Sequence, residues 1–162
     1  MNVTLRAAAP GDEADVLRLV RALAAYEREP DAVAATEASL RDTLFGPAAR
    51  VHALLAELDG RPVGLALWFL TFSSWTGRPT LYLEDLFVEE QVRGRGVARQ
   101  LMSALAREAQ ARGCARMDWA VLDWNVEAMA FYARIGGRRQ TGWQPWRLDG
   151  AALARLAAAE VE

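Results

Sequence analysis

At 162 residues the chain has the length of one ordinary domain, and 52% hydrophobic with 25% charged residues is a globular composition that excludes a disordered polymer. A net charge of −2 lacks the basic excess expected of a nucleic-acid binder, and no apolar run is long enough to span a bilayer, so neither nucleic acid nor membrane is an expected partner. The single cysteine, Cys114, forbids an internal disulfide; with no signal peptide in view, a reducing cytoplasm is the expected location.

The first strand is predicted from Asn2 to Ala8, and Pro10-Gly11-Asp12 turns into a helix with Asp12 as N-cap. Val16, Leu19, Val20, Leu23 and Ala24 form its apolar face; Tyr26, Glu27 and Glu29 follow, and Pro30 stops it. A second helix is expected from a Thr36 cap to Phe45. Val51–Leu58, the turn Asp59-Gly60 and Val63–Phe72 read as a hairpin whose second strand is apolar on both faces.

After a loop carrying Trp75 and Gly77 comes the strand Leu81-Tyr82-Leu83-Glu84-Asp85-Leu86-Phe87-Val88. Leu81 and Leu83 share one parity while Leu86 and Val88 fall on the other, so a β-bulge is expected at Glu84-Asp85. The loop Gln91-Val92-Arg93-Gly94-Arg95-Gly96-Val97-Ala98 leads into an amphipathic helix bearing Val97, Leu101, Leu105 and Ala109, closed by Gly113. Beyond it lie a predicted strand from Cys114 to Leu122 and a short helix opened by Asn125 and ended by Gly136-Gly137. A last strand around Trp143 to Leu148 and an alanine-rich helix complete the chain. The order describes one mixed α/β domain over residues 1–162.

Two constellations carry chemistry. Glycines at a strand-to-helix turn let a ligand approach the backbone, and the free N–H groups of the helix start favour a phosphate-type anion. Arg93, Arg95 and Arg99 can add charge there, though most Gly-x-Gly loops are ordinary turns. No Gly-Lys-Ser/Thr follows, and Arg99 stands where a dinucleotide-binding turn needs its third glycine. The second is Glu84 with Asp85: carboxylates in a mostly buried strand are functional, solvated in a groove or paired with arginine. Tyr132 and Asn125 also read simply as a core tyrosine and a helix cap, and no His/Cys/carboxylate cluster has metal-ligand spacing.

Gln91-x-x-Gly94-x-Gly96, the strand before it, and Asp123-Trp124-Asn125 followed by Phe131-Tyr132 together resemble the GNAT superfamily of N-acetyltransferases. More narrowly, the chain is similar to the diamine (spermidine/spermine) and thialysine-acetylating branch, from Leu5-Arg6 through Leu23-Ala24-Ala25-Tyr26-Glu27 and Trp75-x-Gly77 to Gly142-Trp143. The resemblance implies the GNAT fold, acetyl-CoA as co-substrate, no metal and a homodimer. It implies that Leu86, Phe87 and Val88 meet the pantetheine arm as an added strand does. The loop residues Arg93, Gly94, Arg95, Gly96, Val97, Ala98 and Arg99 hold the pyrophosphate, and Asn125 contacts CoA. Tyr132 then stands near the thioester sulfur as general acid and Glu84 near the acceptor amine. Tyr26, Glu27, Trp75 and Asp85 join Glu84 in the acceptor pocket. Where the polyamine enzymes carry an acid two residues before the tryptophan, this chain has Ser73. The implied activity is acetyl transfer to a primary amine of a small cation: a diamine, a polyamine, or a thialysine- or lysine-like amine. The alternatives are a protein or peptide N-acetyltransferase and a non-catalytic acyl-CoA-binding module.

Overall fold

The computed structural model describes residues 3–159, which divide between Val126 and Glu127 into two compact units. The first begins with β1 (Val3–Ala7), α1 (Glu13–Tyr26) and α2 (Glu37–Phe45). β2 (Val51–Leu58), β3 (Arg61–Ser73) and β4 (Arg78–Val88) follow as antiparallel neighbours. A 3-10 turn (Glu90–Val92), α3 (Val97–Ala111) and β5 (Met117–Trp119) complete the unit, with β5 parallel to β4 and the sheet in the order β1-β2-β3-β4-β5.

The predicted apolar stripes fill the two faces of this sheet. Val16, Leu19 and Leu23 of α1 and Leu44 of α2 pack on Leu55, Leu65, Leu67 and Phe87. Alternation along the strands sends Ala56 and Gly64 to the other face, where α3 buries Val97, Leu101, Met102 and Leu105. Each fully buried leucine contributes roughly 1.5–3 kcal/mol by leaving water. The doubly covered hairpin strand is therefore real from Pro62 to Trp68, whereas Phe72 at its far end is exposed.

Four expectations are corrected. Asp12 sits at the N-cap position of α1, but its side chain does not cap the helix. Its carboxylate is engaged by the Arg6 guanidinium at 2.6 and 2.9 Å and accepts the Ala9 N–H. α1 ends at Tyr26 before reaching Pro30, because Arg28 turns into the left-handed region with φ 68°. The strand expected over Cys114–Leu122 shrinks to Met117–Trp119. The bulge explains its C-terminal end: the β3–β4 register slips between Leu67↔Asp85 and Trp68↔Leu83, leaving Glu84 as the extra residue. β4 bends there, and its pairing with β5 ends at Leu83↔Trp119.

The second unit contains α4, which starts at the junction (Val126–Arg134), and α5 (Gly150–Ala158). The fourth correction falls between them: the strand predicted around Trp143 to Leu148 does not form. Pro145 removes a ladder donor in the middle of that segment, and Trp146 is 91% exposed. Asn2, the first residue of the predicted β1, lies outside the described residues.

Candidate functional site

The bulge and the glycine loop lie at the two ends of one short stretch of β4. Glu89 N–H donates to Val63 O at 2.9 Å, which fixes the phase of the antiparallel pair. Since bonded and non-bonded pairs alternate, the N–H and C=O groups of Leu86 and Val88 turn away from β3. They face the side from which β5 has already departed. A length of strand edge thus opens toward a ligand, while Phe87 is buried in the core.

The loop that follows is braced at its base. Glu89, only 9% exposed, accepts both ends of the Arg61 guanidinium at 2.7 and 2.8 Å. Arg18 from α1 and the Gln91 amide also donate to it. Burial opposes ionisation of this carboxyl, but Arg61 and Arg18 overcome that cost and hold it below the usual carboxylate range. Gly94 and Gly96 have φ 72° and 78°, conformations that side-chain-bearing residues resist, so the turn requires glycine on backbone grounds alone. α3 begins directly after Gly96, and its first internal bond runs from Gln100 N–H to Gly96 O. The N–H groups of Val97, Ala98 and Arg99 precede that bond and so lack helical acceptors.

Arg93 is used differently from Arg95 and Arg99, which lie on the exposed part of the turn. Its Nε donates to Val88 O at 2.9 Å, and its guanidinium carbon lies 4.7 Å from the Tyr26 ring centroid and 5.7 Å from that of Phe87. The charge read from sequence as an anion contact is thus also a strut between loop, strand and α1. Tyr26 continues the chain of contacts, donating its hydroxyl to Asn125 Oδ1 at 3.3 Å and lying 6.2 Å from the Trp124 ring. Asn125 is 7% exposed, and the Cζ of Arg28 lies 4.0 Å above Trp124. Neither Arg28 nor the contact role of Trp124 was read from sequence; the Asp-Trp-Asn motif was the available signal for Trp124, and nothing local marks Arg28.

Three acids share this neighbourhood. Glu84 is exposed at the bulge, and Asp85 and Glu27 are half-buried. Burial, then the charges of Glu84 and Glu27, push Asp85 up to about 6. Burial also raises Glu27. A cation placed among them relieves both repulsion and desolvation. Asp85 therefore stands out electrostatically where the sequence reading had put Glu84 foremost.

Trp75 and Tyr132 are the other expected site residues. Trp75 is 88% exposed on the β3–β4 turn, which is closed by Gly77 N–H donating to Ser73 O at 2.9 Å. Ser73 Oγ accepts the Thr76 N–H at 3.3 Å, so this residue shapes the turn. Tyr132 is on α4 in the second unit, half-buried, with its ring 5.4 Å from Phe131. Among the described residues, no group of three or more His, Cys, Asp or Glu gathers as a metal would need, and no helix is long and apolar enough to cross a membrane.

Comparison with known proteins shows the family. The family described as Acetyltransferase (GNAT) family matches residues 16–137. Thialysine N-epsilon-acetyltransferase of Sus scrofa is 38% identical, the alignment covering 96% of this chain and 98% of that one. L-ornithine N5-acetyltransferase of Arabidopsis thaliana is 27% identical over 94% of this chain and 86% of its own length. Among solved structures, an integron cassette protein from the mobile metagenome of V. cholerae superposes with a TM-score of 0.83 at 28% identity, covering 98% of this chain and 99% of that one. A family match over most of the chain and a 38% identical relative aligned almost end to end agree with the bulged strand and glycine turn: the chain belongs to the GNAT family of acetyltransferases.

Proposed function

We propose that this GNAT protein is an acetyl-CoA-dependent N-acetyltransferase acting on a primary amine of a small cationic acceptor, a diamine, a polyamine, or a thialysine- or lysine-like amine. The observation that carries the reading is the bulge at Glu84, which opens the edge of β4 at Leu86 and Val88 immediately before the glycine turn. That edge suits the amide-bearing pantetheine arm, which pairs with it as an extra strand does. The N–H groups at the start of α3 with Arg95 and Arg99 suit its pyrophosphate, and Asn125 adds a polar contact. Acetyl-CoA supplies the activated acetyl group, and both substrates bind together.

The acceptor arrives as an ammonium ion and must lose a proton before its nitrogen can attack. Glu84, in contact with solvent at the bulge, takes that proton directly or through a water. Tyr26, Glu27, Trp75 and Asp85 complete the acceptor pocket in this reading, the acids steering and holding the cation. The Val88 N–H, turned to the open edge, polarises the thioester carbonyl. Tyr132 delivers a proton to the departing sulfur. Residues 1–162 act as one GNAT domain in the reducing cytoplasm that a single cysteine suits, and as a homodimer, which the branch resemblance implies.

A thiol-release assay with acetyl-CoA across thialysine, lysine, diamines, polyamines, aminoglycosides and peptides, run beside a CoA-binding titration, tests the reading. Turnover with a small amine is the expected result. CoA binding without turnover of any amine or peptide leaves a non-catalytic module. Acetylation of peptide amines alone refutes the small-acceptor assignment.

A further inference from the structure

We propose that Arg28, held over the indole of Trp124, reads a carboxylate on the acceptor, so that the pocket selects an amino acid with a side-chain amine over the corresponding plain diamine. The inference rests on the amine-acetylating reading above and specifies its substrate class.

Consider first how this arginine is held. The arginines at 6, 18, 41 and 61 are each fastened by a carboxylate of the same unit. Arg28 is not: among the described residues no acid pairs with it, and its guanidinium is placed by an aromatic face. A cation–π contact fixes position without consuming N–H donors, so the bidentate fork that matches a carboxylate is still available. The backbone supports the same placement. Arg28 is one of two non-glycine residues among those described with positive φ, and its N–H is tied back to Ala25 O at 3.1 Å. Left-handed backbone costs a non-glycine residue on the order of 1 kcal/mol, and here it directs a long cationic side chain onto Trp124.

Consider next what lies beside it. Glu27 immediately precedes Arg28, and its carboxylate acts on Asp85 together with that of Glu84. Tyr26 and Trp124, 6.2 Å apart, connect this acidic region to the guanidinium. The pocket wall therefore carries both signs. A diamine has two ammonium ends and offers Arg28 only repulsion. An amino acid such as thialysine, lysine or ornithine places its reactive ammonium among the acids and still has an anion for Arg28. A phosphate of CoA shares the anionic chemistry, and the experiment separates the two sources.

The test uses matched acceptors that differ only in the carboxylate: thialysine against bis(2-aminoethyl) sulfide, and L-ornithine against butane-1,4-diamine. Steady-state kcat/KM is measured for the unaltered protein, Arg28→Gln and Arg28→Lys, with the CoA dissociation constant of each. A charge-assisted pair at an exposed site predicts that Arg28→Gln loses about tenfold in kcat/KM for the two amino acids, mostly through KM. The diamines change less than about twofold, the CoA dissociation constant stays fixed, and Arg28→Lys recovers part of the loss. Equal losses for amino acids and diamines, or no loss for either, overturn the inference. A CoA dissociation constant that rises by the same factor reassigns Arg28 to the nucleotide. Turnover of none of these amines by the unaltered protein overturns the amine reading itself and this inference with it.

Discussion

Replacing Asp85 by asparagine should make the protein more stable at neutral pH, and the gain should vanish in acid. The carboxyl is pushed from an ordinary 3.8 to about 6 by burial and by Glu84 and Glu27. Between those two values the folded chain keeps a proton that the unfolded chain releases. Stability therefore falls as pH rises through this window and is level above it. A displacement of about two units at 1.36 kcal/mol each is about 3 kcal/mol. Asparagine mimics the neutral carboxyl at all pH, so it recovers that amount at pH 7.5 and almost none at pH 4. For a chain of this length 1 kcal/mol moves Tm by roughly 2–4 °C, which predicts a rise of roughly 6–12 °C. Thermal melts of both proteins followed by circular dichroism at the two pH values measure it. An Asp85→Asn variant that melts with or below the parent at pH 7.5, or a gap independent of pH, would refute the electrostatic argument. The same substitution should raise the KM for the amine, since the strain it removes is what a bound cation relieves.

Gly96→Val adds left-handed strain to a loop that a ligand must approach closely, and the CoA dissociation constant should rise at least about tenfold, or roughly 1.4 kcal/mol; unchanged binding by a folded variant removes the loop from the CoA site. Tyr132→Phe keeps the ring and should lower kcat by about 10²-fold with CoA affinity preserved; a parental kcat, with chemistry limiting, ends the role of Tyr132 as acid. Ser73→Asp can still accept the Thr76 N–H that closes the turn, so it tests charge without unmaking the loop. It should narrow the preference for thialysine over spermine in kcat/KM, and a parent that already prefers spermine contradicts the assignment.

What the sequence disclosed and what it hid divide along the range of the interactions. The hairpin at Asp59-Gly60, the Thr36 cap and the Gly96 helix start are written in neighbouring residues, and each formed as read. Even the bulge was legible, because a parity slip within eight residues of one strand has a single geometric meaning. The length of β5 was not, since it depends on where its neighbour β4 bends away. Asp12 obeyed a partner outside its helix: Arg6 claimed the carboxylate that local rules would have spent on the cap. The same holds at the candidate site. The glycines and the acids could be found by motif, but the seating of Arg93 against Tyr26 and of Arg28 against Trp124 joins segments far apart in the chain.

Glu89 bears on how transferable the glycine loop is. Arg18 and Glu89 are separated by 71 positions, and Arg61 reaches the same carboxylate from the start of β3. The base of the turn is thus set only when α1, the hairpin and β4 have all docked. A peptide spanning β4 to α3 would carry every residue of the Gly-x-Gly signature and none of the arginines that brace it from α1 and β3. Grafted elsewhere, the motif would lose those braces; in this chain its shape is inherited from the assembled unit.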